Sequence, residues 1–123
     1  MRKSASIFLV VIAVAAFGTA RNAIADDTYD SVLGLLTQCR EVGKENTNVV
    51  NSAYWGLCHG RIEGYYMATK TWAKPEPFCL PPQMTRVQII TTFIRWAEHN
   101  PEKWHDPAFV GLNNALSGAF PCQ

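Results

Sequence analysis

Four cysteines, Cys39, Cys58, Cys79 and Cys122, all lie downstream of a segment laid out like a secretion signal. An exported chain meets an oxidising compartment, where an even set of thiols is expected to be consumed as crosslinks. The signal reads in three parts: Arg2 and Lys3, an uncharged apolar run from Ile7 to Phe17, and small residues Ala23-Ile24-Ala25 before Asp26. The run is shorter than the roughly 20 apolar residues a spanning helix needs, and Arg21 follows it, so cleavage is expected rather than a membrane anchor. Gly18-Thr19-Ala20 offers a second cut. The expected organisation is a cleaved signal peptide over 1–25 and a single helical domain over 26–123, exported to the periplasm. A core of that size gains from crosslinks that raise the free energy of the unfolded chain.

Charge sets the partner classes. Three of the 11 Lys and Arg lie before the cut and all 10 Asp and Glu lie after it, so the formal charge passes from +1 to about −2. A near-neutral domain has no electrostatic reason to seek nucleic acid or an anionic membrane.

The spacing predicts an all-α domain of four helices. The first spans about 29–41, with Tyr29, Val32, Leu33, Leu36 and Cys39 inward, Asp27 or Thr28 capping, and Gly43 as a stop. After a polar connection over 43–48, the second spans about 50–72, with Ala53, Tyr54, Leu57, Cys58, Ile62, Tyr65 and Tyr66 as its apolar positions. Gly56, Gly60 and Gly64 recur every four residues along it. Each glycine costs a helix about 1 kcal/mol relative to alanine, so the stripe is expected to be compensated by a neighbouring backbone in close contact. The same spacing occurs between membrane helices, but His59, Arg61 and Glu63 stand among these glycines. Four prolines from Pro75 to Pro82 forbid helix and make a stiff connection. Thr85 with Gln88 forms a capping box opening the third helix, with Val87, Ile90, Phe93, Ile94 and Ala97 inward. Asp106-Pro107 is a start signal for the fourth, whose inner face is expected to be Phe109, Leu112, Leu116 and Phe120.

Three disulfide connectivities are possible. Two helical hairpins would place Cys39 near Cys58 and Cys79 near Cys122, with crossed pairing as the alternative. The loops so closed, of about 20 and 44 residues, contribute about 3 and 4 kcal/mol in the chain-entropy account.

Catalytic sets are sparse. His59, His99 and His105 with Cys58, Glu63, Glu98, Glu102 and Asp106 are the only candidates. A cysteine nucleophile needs a free thiolate, which crosslinking removes. His99 and His105, six apart across a proline-broken turn, lack the one-face spacing of metal ligands. No phosphate loop, serine elbow or zinc-protease helix motif is present, and no cofactor or metal is expected. Aromatic residues suit binding better: Trp and Tyr dominate interface hot spots, although they also fill small cores. The segment 72–78 is the candidate protruding element, stiffened by proline so that docking orders little. Its residues Trp72, Lys74, Glu76 and Phe78, together with Trp104 beside another turn, are the candidate partner contacts. The 43–48 turn is the second candidate.

Five stretches in order, Cys58-His59-Gly60-Arg61-Ile62-Glu63-Gly64, Phe78-Cys79-Leu80-Pro81, His99-Asn100-Pro101-Glu102, His105-Asp106-Pro107-Ala108, and Ala115-Leu116 with Ala119-Phe120-Pro121-Cys122, resemble the landmarks of the Rap/Tai immunity proteins. The resemblance covers 58–122. It implies a small helical, disulfide-bonded periplasmic protein that binds and sterically blocks a peptidoglycan amidase delivered by type VI secretion. Arg61 stands where that family usually has tyrosine, and Asn100 separates a histidine and proline that are usually adjacent. The partner so implied is a protein, with a homodimer also open. A periplasmic chaperone and an orphan envelope protein are the rival readings; an acid-activated chaperone needs clustered carboxylates, and the ten acidic groups form no cluster.

Overall fold

A computed structural model describes residues 28–40 and 49–123; the signal segment and the 43–48 connection lie outside the described residues. Four helices carry the described chain: α1 (Val32–Cys39), α2 (Val49–Trp72), α3 (Arg86–His99) and α4 (Ala108–Ala119), with a 3₁₀ turn at Pro101–Lys103.

α1 holds the structure together. Val32, Leu35, Leu36 and Cys39 are all 0% exposed, and the helix packs against α2, α3 and α4 alike. Burying such side chains contributes about 1.5–3 kcal/mol each. A helix buried this deeply must still satisfy its first backbone donors. Ser31 caps it, its hydroxyl accepting from Gly34 N–H at 3.1 Å. The Val32 N–H donates to the Asp106 carbonyl at 2.8 Å and the Leu33 N–H to the Trp104 carbonyl at 3.0 Å. In return the Ala108 N–H donates to the Asp30 carbonyl at 2.8 Å, and Ser31 and Pro107 form an antiparallel bridge. The entry to α4 is thus tied to the entry to α1. The expected Asp106 cap is replaced: Pro107 occupies the N-cap position without a side-chain cap, and the Asp30 carbonyl takes the Ala108 N–H.

α3 begins as its sequence dictates. Gln88 N–H donates to Thr85 Oγ1 at 3.3 Å and Thr85 N–H donates to Gln88 Oε1 at 2.7 Å, completing the capping box. It ends where Asn100 bonds back to the Trp96 carbonyl at 2.7 Å before Pro101. Phe93, Ile90 and Ala97 point inward with Ile89, against Leu112, Ala115 and Leu116 of α4 and against α1. Both disulfides follow the two-hairpin layout: Cys39–Cys58 and Cys79–Cys122.

Several expected core positions turn outward. Tyr29 is 50% exposed, Val87 54% and Phe109 58%, while Tyr54 and Leu57 also face solvent. Leu35 and Ile89 take core places instead, and α4 buries Ala108 rather than Phe109. The glycine stripe is also corrected. A Cβ built on Gly56, Gly60 or Gly64 meets nothing within 4 Å, so that face of α2 packs against no described residue. Close approach occurs at two other glycines. A Cβ on Gly34 would run into the Thr28 carbonyl oxygen and come within 2.6 Å of the Tyr29 carbonyl oxygen; one on Gly111 would lie 2.5 Å from Val32 Cγ2. The latter contact is what lets α4 close onto α1.

Candidate partner-binding surface

The connection between α2 and α3 is fixed at both ends and exposed between them. On the α2 side the Ala73 N–H donates to the Thr69 carbonyl at 3.0 Å. On the α3 side Phe78 is 2% exposed, its ring centroid 6.3 Å from that of Tyr65, and the Cys79 N–H donates to the Phe120 carbonyl at 2.9 Å. Phe78 is therefore an anchor and not a partner contact: it is drawn inward beside Cys79, whose disulfide to Cys122 ties the strand of chain to the end of α4. Trp72, the last residue of α2, is 82% exposed just before the first of these anchors. Glu76 accepts from Lys70 Nζ at 3.0 Å and faces Lys74 Nζ at 3.6 Å. The hydrogen bond from Lys70 holds the Glu76 carboxyl below its ordinary pKa, and Glu76 raises that of Lys70. Trp72, Lys70, Lys74 and Glu76 are thus held at one edge of the bundle.

A cleft of about 410 Å³ adjoins this edge, between α2 and the start of α3. Glu63, Lys70 and Arg86 line it with Tyr66, Leu80 and Met84, and Arg86 pairs with Glu63 across it. The cleft was not legible in sequence, because Glu63 and Arg86 meet only once α2 and α3 pack.

Trp104 belongs elsewhere. Half-buried, it donates its indole N–H to the Ala97 carbonyl at 2.8 Å and lines a shallow cavity with Thr28, Ser31, Leu33 and His105. Its hydrogen bond is used internally to clamp the turn after α3.

Arg61 organises the opposite side of α2. Its guanidinium donates to the Tyr29 carbonyl at 2.9 Å, Asp30 Oδ1 at 2.9 Å and the buried Gln38 Oε1 at 3.2 Å, and lies 4.9 Å from the Tyr29 ring centroid. One side chain with a planar fork of donors thereby joins α2 to the segment that caps α1. The exposed glycines, with Leu57 and Met67 also exposed, leave α2 a solvent face without charged residues.

Among the described residues the histidines do not gather into one acid–base set. His59 stacks on Trp55 at 4.0 Å, His99 Nδ1 lies 2.7 Å from the Arg95 carbonyl, and His105 meets only its neighbour Asp106 at 3.5 Å. Among the described residues no three His, Cys, Asp or Glu gather as metal ligands, and no helix is long and apolar enough to cross a membrane. All four thiols are in disulfides.

The family model of the Rap1a immunity proteins matches residues 31–122, which includes all four described helices and both disulfides. The chain belongs to the Rap1a immunity protein family. No curated protein and no solved structure matches it. Membership carries an immunity function against a secreted toxin, and hence a protein partner. Seen as a Rap1a immunity protein, the molecule has its landmarks in structural roles. Cys58, Cys79 and Cys122 crosslink, Asp106 and Pro107 receive the entry to α1, and Phe120 accepts from Cys79. The family match begins at Ser31, the α1 cap, well before Cys58, where the sequence resemblance starts.

Proposed function

We propose that this Rap1a protein acts in the periplasm, where it binds and sterically inhibits a peptidoglycan amidase delivered by type VI secretion, without catalysis of its own. The loop 72–77 enters the cleft of the toxin and keeps its peptide substrate out. The observation that supports this most is the exposed Trp72 at the end of α2, where a connection begins whose far end is sunk in the core at Phe78. An aromatic side chain on a stiff support loses little conformational freedom on docking and has the character of an interface hot spot. The paired Lys70, Lys74 and Glu76 give the same edge the polar rim that surrounds such anchors.

The test is inhibition of a purified cognate amidase. Near-stoichiometric protein abolishes its hydrolysis of peptidoglycan fragments, and Trp72→Ala weakens binding by about 1–2 kcal/mol while leaving thermal stability unchanged. An amidase encoded beside this chain that is neither bound nor inhibited overturns the proposal. Protection of many unrelated clients from aggregation identifies a chaperone instead.

A further inference from the structure

The two disulfides sit in contrasting environments. Cys39 and Cys58 are both 0% exposed and belong to the core cluster, whereas Cys79 and Cys122 are both exposed. Thiol–disulfide exchange requires a thiolate to reach a sulfur, so access decides which bond is attacked while the protein stays folded. The exposed bond also has a particular place. It follows Phe78 by one residue, joins the α2–α3 connection to the segment after α4, and puts Cys122 Sγ 3.7 Å from the Glu76 carbonyl oxygen.

We propose that Cys79–Cys122 is a redox latch on the 72–77 loop: a dithiol reductant opens it in the folded protein, and opening loosens the loop without dissolving the bundle. In the first step a thiolate of the reductant attacks one sulfur, here Cys122 Sγ. The S–S bond breaks, a mixed disulfide forms, and Cys79 leaves as a thiolate that takes up a proton. The second thiol of the reductant, deprotonated, then attacks the mixed disulfide and releases Cys122. Two electrons and two protons pass to the cysteine pair, and the dithiol becomes a disulfide. The bundle persists because Phe78 remains buried, the Cys79 N–H still bonds to the Phe120 carbonyl, and the enclosed Cys39–Cys58 bond is untouched. Only the consequence for toxin binding rests on the function proposed above.

The experiment is reduction of the folded, full-length mature protein by dithiothreitol without denaturant, with timed alkylation and peptide mass mapping. Cys79 and Cys122 are expected to be labelled at least about 100-fold faster than Cys39 and Cys58, since the enclosed pair waits for large-scale opening. Equal rates, or faster labelling of Cys39 and Cys58, overturn the proposal. The double variant Cys79→Ser with Cys122→Ser is expected to melt cooperatively, with hydrogen exchange at the Ala73 amide, which bonds to the Thr69 carbonyl, accelerated at least about tenfold and that of α1 unchanged. Loss of the fold, or unchanged exchange at the Ala73 amide, overturns the latch. None of these readouts uses a toxin. A double variant that inhibits a cognate amidase as well as the parent does removes the regulatory consequence and leaves the immunity function standing.

Discussion

Replacing Gly60 by alanine reports directly on whether the outward face of α2 is free in the isolated protein. Within a helix interior the exchange removes backbone freedom from the unfolded chain and gains about 1 kcal/mol. At Gly60 no described residue opposes that gain, because the added Cβ meets none of their atoms within 4 Å. For a domain of about 100 residues, 1 kcal/mol moves the melting temperature by about 4–8 °C. Gly60→Ala is therefore expected to melt about 4–8 °C above the parent, and Gly56→Ala and Gly64→Ala to behave alike. Gly34→Ala has the opposite sign. Its Cβ would press on the backbone of Thr28 and Tyr29, which Ser31 and Arg61 hold in place. Overpacking of about 1–3 kcal/mol outweighs the propensity gain, so this variant melts below the parent. Thermal melts followed by far-ultraviolet circular dichroism, repeated over a range of protein concentrations, measure both. A Gly60→Ala protein that melts lower than the parent at every concentration would refute the reasoning, since it requires that face to be packed within the monomer.

Arg61→Ala is expected to lose about 1–3 kcal/mol in urea titrations, because it leaves the buried Gln38 oxygen and the Tyr29 carbonyl without their donor; Arg61→Lys recovers less than half, a single ammonium being unable to serve three acceptors. Burial pushes the Tyr65 hydroxyl above its ordinary pKa, so the folded state holds that proton more tightly than the unfolded state does. Its contribution is complete below the ordinary tyrosine range and is lost as pH rises through the raised value. Tyr65→Phe is expected to flatten the alkaline fall in urea midpoint and to lose about 1 kcal/mol at neutral pH with the hydrogen bond to Asn113.

What could be read in the chain was local or periodic. Thr85 and Gln88 announce α3 from three residues apart, the prolines from Pro75 onward exclude helix, and the cysteine pairs follow from hairpin adjacency. Periodicity failed where a helix is buried on more than one side: α1 buries the adjacent Leu35 and Leu36, so no single stripe describes it. It also failed at helix entries. Val87 and Phe109 stand in the first turns of α3 and α4, where an apolar residue can lie outside the stripe at little cost. Phe78 was misplaced because a proline-rich composition signals an exposed connection, whereas its neighbour Cys79 is crosslinked against α4. The partners of Arg61 lie 23 to 32 residues away, beyond any local pattern.

The exchange of hydrogen bonds between residues 30–33 and 104–108 has a consequence for the order of events in a chain synthesised amino end first. Contacts that span more than 70 residues cannot begin to form until nearly all of the domain is available. The Cys39–Cys58 bond can close once residue 58 has emerged, but the Val32 and Leu33 N–H groups at the start of α1 lack their acceptors until Trp104 and Asp106 arrive. Until then α1, the most apolar of the four described helices, stays unseated. The arrival of the last helix completes the structure in one late step, and until then the nascent chain depends on whatever shields its apolar segments.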